Sequence, residues 1–290
     1  MGVRRRLRAF GKAAVSRIVP KEAVLVPVLE GSLLVGRRAL VTGGTSGIGY
    51  AIAEAFARNG ADVVICGRQR QKVDDAVLGL NAAGTSSRVR GVVMDVCDPS
   101  SIEGGVCEAA SLLGVSPDIL VNSAGVNGGG RFGRIEADSY DKVMDTNLRG
   151  TLLVSQEVAR LMVAERVDGS ILNIASSSSL RPANTPYLIS KWGIRGLTLG
   201  MAKSLIRHGI VVNGLAPGPT ATPMLLSDPG GDINKPESPS GRYAAPEEVA
   251  NMAVVLTSSM GRMVVGDIVY MTGGSGLVTI DEVGSYDFEL

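Results

Sequence analysis

From about residue 36 the sequence alternates short β-branched runs with longer amphipathic stretches, and this alternation constrains the fold more than any other feature. Candidate strands lie at 38–42, 62–66, 88–94, 119–122, 171–175, 210–214 and 268–271. Helical periodicity fills 47–59, 69–83, 99–113, 136–165, 186–208 and 246–259. In the first helical stretch Ile48, Ala51, Ile52, Ala55 and Phe56 form one apolar face, and Gly60 supplies the stop. Strands that are almost continuously apolar and separated by helices predict a parallel sheet covered on both faces. A chain of 290 residues, 45% of them hydrophobic, can bury a full core without disulfide or metal staples. The Pro/Gly/Ser-rich stretch 217–241 reads as a long loop with one short helix, and long loops in compact domains are usually lids or binding loops.

Composition removes several function classes. No apolar run reaches the 18 residues a spanning helix needs, and the early stretch 23–29 is interrupted by Pro27. A net charge of +1 gives no global field directed at nucleic acid. The three cysteines, Cys66, Cys97 and Cys107, lack metal-site spacing and read as buried thiols of a reducing, cytoplasmic compartment. His208 is the only histidine and sits at the end of a helical stretch, so it reads as a surface residue; no metal site is expected. Chemistry therefore falls to Tyr, Lys, Ser, Asp or Glu.

The ends differ from the middle. Residues 1–35 form a basic extension; within 1–18, Val3, Leu7, Phe10, Ala14 and Ile18 share one side of a potential helix. It reads as a solvated extension, with weak membrane-surface contact the alternative, and it lacks the uninterrupted apolar region of a secretory signal. Residues 36–276 make one domain, and 277–290 form an acidic tail.

Glycine marks the functional region. There are 38 glycines, clustered at 43–49, 125–133 and 273–276. The run Thr42-Gly43-Gly44-Thr45-Ser46-Gly47-Ile48-Gly49 follows the first strand and opens the first helix, the setting a dinucleotide fingerprint requires. Gly43 permits the tight turn, Gly47 lets backbone approach a pyrophosphate, and Gly49 allows close helix–strand packing. The helix N-terminus then favours the phosphates. A second motif is Tyr187-Leu188-Ile189-Ser190-Lys191, whose i,i+4 spacing puts Tyr187 and Lys191 on one helix face. An ammonium beside a phenol stabilises phenolate and is expected to lower the Tyr187 pKa.

The spacing Gly-x-x-x-Gly-x-Gly, with Tyr-x-x-x-Lys downstream, resembles the short-chain dehydrogenase/reductase family over about residues 36–276. The resemblance implies a Rossmann-type, doubly wound, seven-stranded parallel sheet flanked by helices. It implies an oxidoreductase acting between CH–OH and C=O groups with a nicotinamide cofactor. Tyr187 then matches the general acid/base and Lys191 the residue that holds the nicotinamide ribose. In Asn173-Ile174-Ala175-Ser176-Ser177, the strand-end serine matches Ser176, with Ser177 as the alternative. Asn147 matches the helix asparagine that holds a proton-relay water. Thr45, Ser46 and Ile48 join Gly43, Gly47 and Gly49 in the cofactor loop. Asn122, Ala124 and Gly125 match the segment after the fourth strand, with Ser123 in place of a second asparagine. Asp95 and Val96 match the pair beside the adenine, and Pro217, Gly218, Thr220 and Thr222 the segment that reaches the carboxamide and diphosphate.

The second strand ends in Ile65-Cys66-Gly67-Arg68-Gln69-Arg70, with no acid to accept from a ribose 2′-OH. Arg68 suits a 2′-phosphate, so NADP(H) is expected; Ser46, where many NADP-preferring relatives carry Arg or Lys, keeps NAD(H) as the alternative. The substrate pocket is expected from 127–134, 178–186 and 224–243. Asn127, Arg181 and Asn184 point to a small polar substrate, sugar-like or 3-oxoacyl. The resemblance also implies a homo-oligomer, tetramer or dimer. A dinucleotide-binding module without catalysis is the competing class, and a sugar epimerase or dehydratase on the same scaffold a further one.

Overall fold

The computed structural model describes residues 31–82, 87–226 and 232–275. The basic stretch 1–18 and the acidic tail 277–290 lie outside the described residues. Seven parallel strands form one sheet in the order β3-β2-β1-β4-β5-β6-β7. They are β1 (Arg38–Thr42), β2 (Asp62–Gly67), β3 (Val89–Val93), β4 (Ile119–Asn122), β5 (Ser170–Ile174), β6 (Val211–Pro217) and β7 (Ile268–Met271). The principal helices are α1 (Gly47–Arg58), α2 (Arg70–Ala82), α3 (Pro99–Leu113), α4 (Ala137–Met144), α5 (Gly150–Ala164), α6 (Pro186–Leu205) and α7 (Pro246–Thr257).

The two-residue period of the strands splits the core into two layers. Val41, Val63 and Ile65 face a cluster with Ile52 and Phe56 of α1, Leu80 of α2 and Val254 of α7. Leu40 and Val64 face the opposite cluster, with Ile102 and Val106 of α3 and Val154, Val158 and Met162 of α5. Helix starts follow their sequence signals. Asp98 caps α3 by accepting from the Ser100 amide ahead of Pro99, and Thr185 caps α6 by accepting from the Leu188 amide ahead of Pro186.

The periodic stretch 136–165 divides into α4 and α5, joined by a wide π-turn at Asp145–Arg149. β6 runs three residues beyond its expected end at 214, because Leu215, Ala216 and Pro217 continue the ladder with β7. The loop 217–241 holds turns and no helix among its described residues. The folded unit also begins before residue 36: Leu34 is fully buried in the core and its amide donates to the Asn59 carbonyl. Of the three cysteines only Cys66 is buried; Cys97 is partly exposed and Cys107 exposed. His208 is exposed at the end of α6.

Candidate active site

The strand order reverses between β1 and β4, and the crevice above their carboxyl ends is where an open α/β sheet binds ligand. Thr42, the last residue of β1, closes this point: its hydroxyl accepts from the Ser123 and Ala124 amides. The glycine loop rests against the same segment. Gly43 has φ +64°, and a Cβ there would lie 2.8 Å from the Ala124 backbone. A Cβ on Gly49 would run into the Gly43 carbonyl. Gly47 has φ +57° and faces Thr222 across the crevice, 3.4 Å from where a Cβ would stand. Ser46 caps α1 in extended backbone, with its hydroxyl unbonded to the helix. The result is a backbone cradle at a helix N-terminus, with no room for a Cβ at Gly43 or Gly49, and it fits a pyrophosphate.

A cleft of about 900 Å³ runs over this cradle. One end is lined by Arg68, Gln69 and Lys72, the other by Ser176, Arg181, Tyr187 and Leu188. Four cationic side chains line it, Arg68, Lys72, Arg181 and Lys191, and no Asp or Glu does among the described residues. Arg68 and Lys72 have no hydrogen bond or ion pair among the described residues.

The catalytic candidates converge on the β5 side. Ser176 follows β5 in extended backbone, and its hydroxyl accepts from the Ser178 amide at 3.1 Å. Tyr187 starts α6 and is largely buried. Burial raises its pKa, and the neighbouring Ser176 hydroxyl opposes that rise. Ser176 and Ser177 both line the cleft, and of the two it is Ser176 whose hydroxyl bears on the Tyr187 pKa. Lys191 is 7% exposed, and burial pushes its pKa down to about 8. Its ammonium donates to the Ile174 carbonyl at 2.8 Å and lies 5.7 Å from the Tyr187 ring centroid. The expectation that Lys191 lowers the Tyr187 pKa is therefore corrected: burial is the largest influence and raises it, and the ammonium donates to a main-chain carbonyl.

Of the other expected cofactor residues, Thr45, Ile48, Val96, Ala124, Gly125, Pro217, Gly218, Thr220 and Thr222 line the cleft. Asp95 and Asn122, expected at the cofactor, and Asn147, expected among the catalytic residues, do not. The Asp95 carboxylate accepts from the Cys97 amide and shapes the turn after β3. The Asn122 side chain is buried, and its NH2 donates to Ser155 Oγ and Asn173 Oδ1, which knits β4 to β5. The Asn147 side chain clamps both backbone groups of Val126 and donates to Ser190 Oγ, which donates to the Tyr187 carbonyl. Within 127–134 only Asn127 lines the cleft, and Asn184 gives its carbonyl to the Phe132 amide instead of a side chain to the pocket. Lys72 and Ser190 are additions that sequence reasoning missed. Lys72 carried a legible signal, one helical turn beyond Arg68; Ser190 lay inside the Tyr-Lys motif without one.

The sequence model of the family described as enoyl-(acyl carrier protein) reductase matches residues 43–276. The chain is 38% identical to gluconate 5-dehydrogenase of Gluconobacter oxydans over 247 residues, which cover 83% of this chain and 95% of that protein. The chain is a short-chain dehydrogenase/reductase. This oxidoreductase is also 35% identical to a 3-oxoacyl-acyl-carrier-protein reductase of Aquifex aeolicus, over 83% of this chain and 98% of that protein. Among solved structures, a gluconate 5-dehydrogenase from Burkholderia cenocepacia in complex with NADP and tartrate matches with TM-score 0.77 and 32% identity, covering 85% of this chain and 97% of that one. Actinorhodin polyketide ketoreductase with NADPH matches with TM-score 0.78 and 32% identity, over 83% and 98% of the two chains. No helix among the described residues of this dehydrogenase/reductase is long and apolar enough to cross a membrane.

Proposed function

We propose that this protein interconverts a carbonyl and a secondary alcohol on a small polar substrate, sugar-like or 3-oxoacyl, with NADP(H). The observation that carries the reading is the convergence of Ser176, Tyr187 and Lys191 on one cleft with the glycine cradle. NADP(H) is supported over NAD(H) by Arg68 and Lys72, two cations at the β2 end of that cleft without a partner among the described residues, and by the lack of an acid there to accept from a ribose 2′-OH. The NADP and NADPH of the matched solved structures support the same choice.

When bound, the nicotinamide supplies or accepts the hydride. Ser176 donates to the substrate oxygen and fixes it beside Tyr187. The Tyr187 phenol is protonated at neutral pH, as an ordinary phenol is, and burial shifts it further that way, so it can donate its proton to a carbonyl oxygen being reduced. In the opposite direction Tyr187 takes the alcohol proton. The Lys191 ammonium orients the ribose and favours the phenolate once it forms. Asn147 and Ser190 hold the start of α6, and hence Tyr187, in register with the cradle.

The same proposal includes a homo-oligomer, tetramer or dimer, supported by the exposed apolar residues Leu152 on α5 and Trp192 and Leu199 on α6. It also includes a reducing, cytoplasmic setting, supported by the free cysteines. Titration with NADPH and NADH, followed by nicotinamide fluorescence, tests the reading. Micromolar NADPH binding that weakens in Arg68→Ala and is much weaker for NADH supports it. Tight NADH binding indifferent to Arg68 overturns the cofactor assignment, and binding of neither overturns the whole.

A further inference from the structure

Arg181 stands apart from the other cations of the cleft. Arg68 and Lys72 follow β2, whereas Arg181 follows β5, and β1 and β4 lie between. Three strand spacings put the ends of β2 and β5 about 14 Å apart. Arg181 therefore sits on the substrate side of Tyr187, away from the pyrophosphate cradle, on the loop that joins Ser176 to Tyr187.

The Arg181 backbone is held from two sides. Its amide donates to the Ser178 carbonyl at 3.2 Å, and its own carbonyl accepts from the Trp192 indole N–H at 2.8 Å. The loop behind it is braced as well: Ser179 Oγ donates to the Ser176 carbonyl and meets the Tyr270 hydroxyl. The guanidinium, by contrast, makes a single long contact among the described residues, 3.5 Å to the Ser275 carbonyl. A planar fork of donors on a fixed backbone, lining a cleft with no acid among its described residues, is built to receive an anion.

We propose that Arg181 is a specificity-determining residue that binds the carboxylate of the substrate, so that the preferred substrate is a small hydroxy- or oxo-acid. This rests on the oxidoreductase reading above and narrows its substrate. A carboxylate held by Arg181 is fixed relative to Ser176 and Tyr187, because all three belong to one braced segment. The charge thus sets which hydroxyl or carbonyl of a polyhydroxy acid meets the catalytic pair. The phosphates of an acyl-CoA would offer the same charge at the end of a long arm, and the test separates the two sources.

The experiment pairs small hydroxy-acids, gluconate and tartrate among them, with their neutral amides, and adds a 3-oxoacyl-CoA. Each is assayed with wild type, Arg181→Gln and Arg181→Lys. The expected result is a kcat/KM for the preferred acid at least about tenfold above that of its amide. In Arg181→Gln that ratio falls to near one, mainly through KM, and Arg181→Lys recovers part of it. An independent readout is the emission of Trp192, the only tryptophan in the chain, whose indole is bonded to Arg181. With NADP⁺ present, the acid shifts this emission in wild type and not in Arg181→Gln. An acid-to-amide ratio near one in wild type, a ratio that survives Arg181→Gln, or turnover of the acyl-CoA alone each overturns the proposal. Wild-type protein that binds neither NADPH nor NADH removes the underlying reading instead, and the cofactor titration makes that outcome recognisable.

Discussion

The Lys191 ammonium donates to the Ile174 carbonyl at 2.8 Å, tying α6 to the last residue of β5. This bond holds a buried cation in a cleft that no carboxylate lines among the described residues, and burial lowers its pKa from 10.5 to about 8. Between those two values the unfolded chain binds the proton that the folded chain has released, so stability rises with pH across that interval. Below pH 8 the cost of the buried charge is fully present. Lys191→Met is therefore expected to raise Tm near pH 7 while abolishing turnover, with the gain shrinking toward pH 10. Thermal melts of both proteins at the two pH values check this; a variant that melts below wild type at pH 7 contradicts it.

Tyr187 carries the proton in the proposed reaction; it is a phenol at neutral pH, and burial pushes its ionisation further into the alkaline range. Tyr187→Phe is expected to lower kcat by about 10²–10⁴ while NADPH binding stays in the wild-type range. The pH profile should differ by direction. Carbonyl reduction needs the phenol and proceeds well at neutral pH, whereas alcohol oxidation needs the phenolate and climbs into the alkaline range. Rate measurements in both directions across pH 6 to 10 decide it, and oxidation that falls as pH rises would rule out Tyr187 as the base.

The architecture was legible because it rests on local pattern. All seven strands and their intervening helices follow from apolar runs separated by amphipathic stretches. The glycine cradle was legible for a related reason, since residues 43–49 supply it from one short stretch. What escaped depends on contacts distant in sequence. Asn122 looks like a ligand residue from its neighbours, yet its amide is consumed by Asn173, 51 residues on, and by Ser155, 33 residues on. The Tyr187–Lys191 spacing gave proximity but not where the ammonium would point, which is set by Ile174 on another element. The absence of acids from the cleft's described lining emerges only when six strand ends and α6 are brought together.

In the proposed reading Arg68 and Lys72, which line one end of the cleft, share the 2′-phosphate of NADPH. A charge-assisted bond contributes about 1.5–3 kcal/mol. Arg68→Ala is thus expected to weaken NADPH binding by about tenfold or more, Lys72→Ala by less, and the pair more than either alone. NADH binding should change little in all three. Raised salt should narrow the gap between the two cofactors, because these side chains are at the open end of the cleft. Equal losses for NADPH and NADH would place both residues elsewhere than at the 2′-phosphate.

Gly49 and Gly104 make a matched test of the cradle. At Gly49 a Cβ would meet the Gly43 carbonyl, and Gly43 cannot retreat because it already abuts Ala124 in left-handed backbone. Gly49→Ala therefore has to displace the loop, with an overpacking cost of about 1–3 kcal/mol. NADPH affinity should fall by more than about tenfold, since the phosphates depend on where that backbone stands. Gly104 lies on the exposed face of α3, with nothing within 4 Å of where a Cβ would stand. Gly104→Ala should instead stabilise the protein by about 0.5–1 kcal/mol through helix propensity, without altering NADPH binding. Melting curves and NADPH titrations of both variants check the contrast. Full NADPH affinity in Gly49→Ala would mean that the tight loop serves helix–strand packing alone.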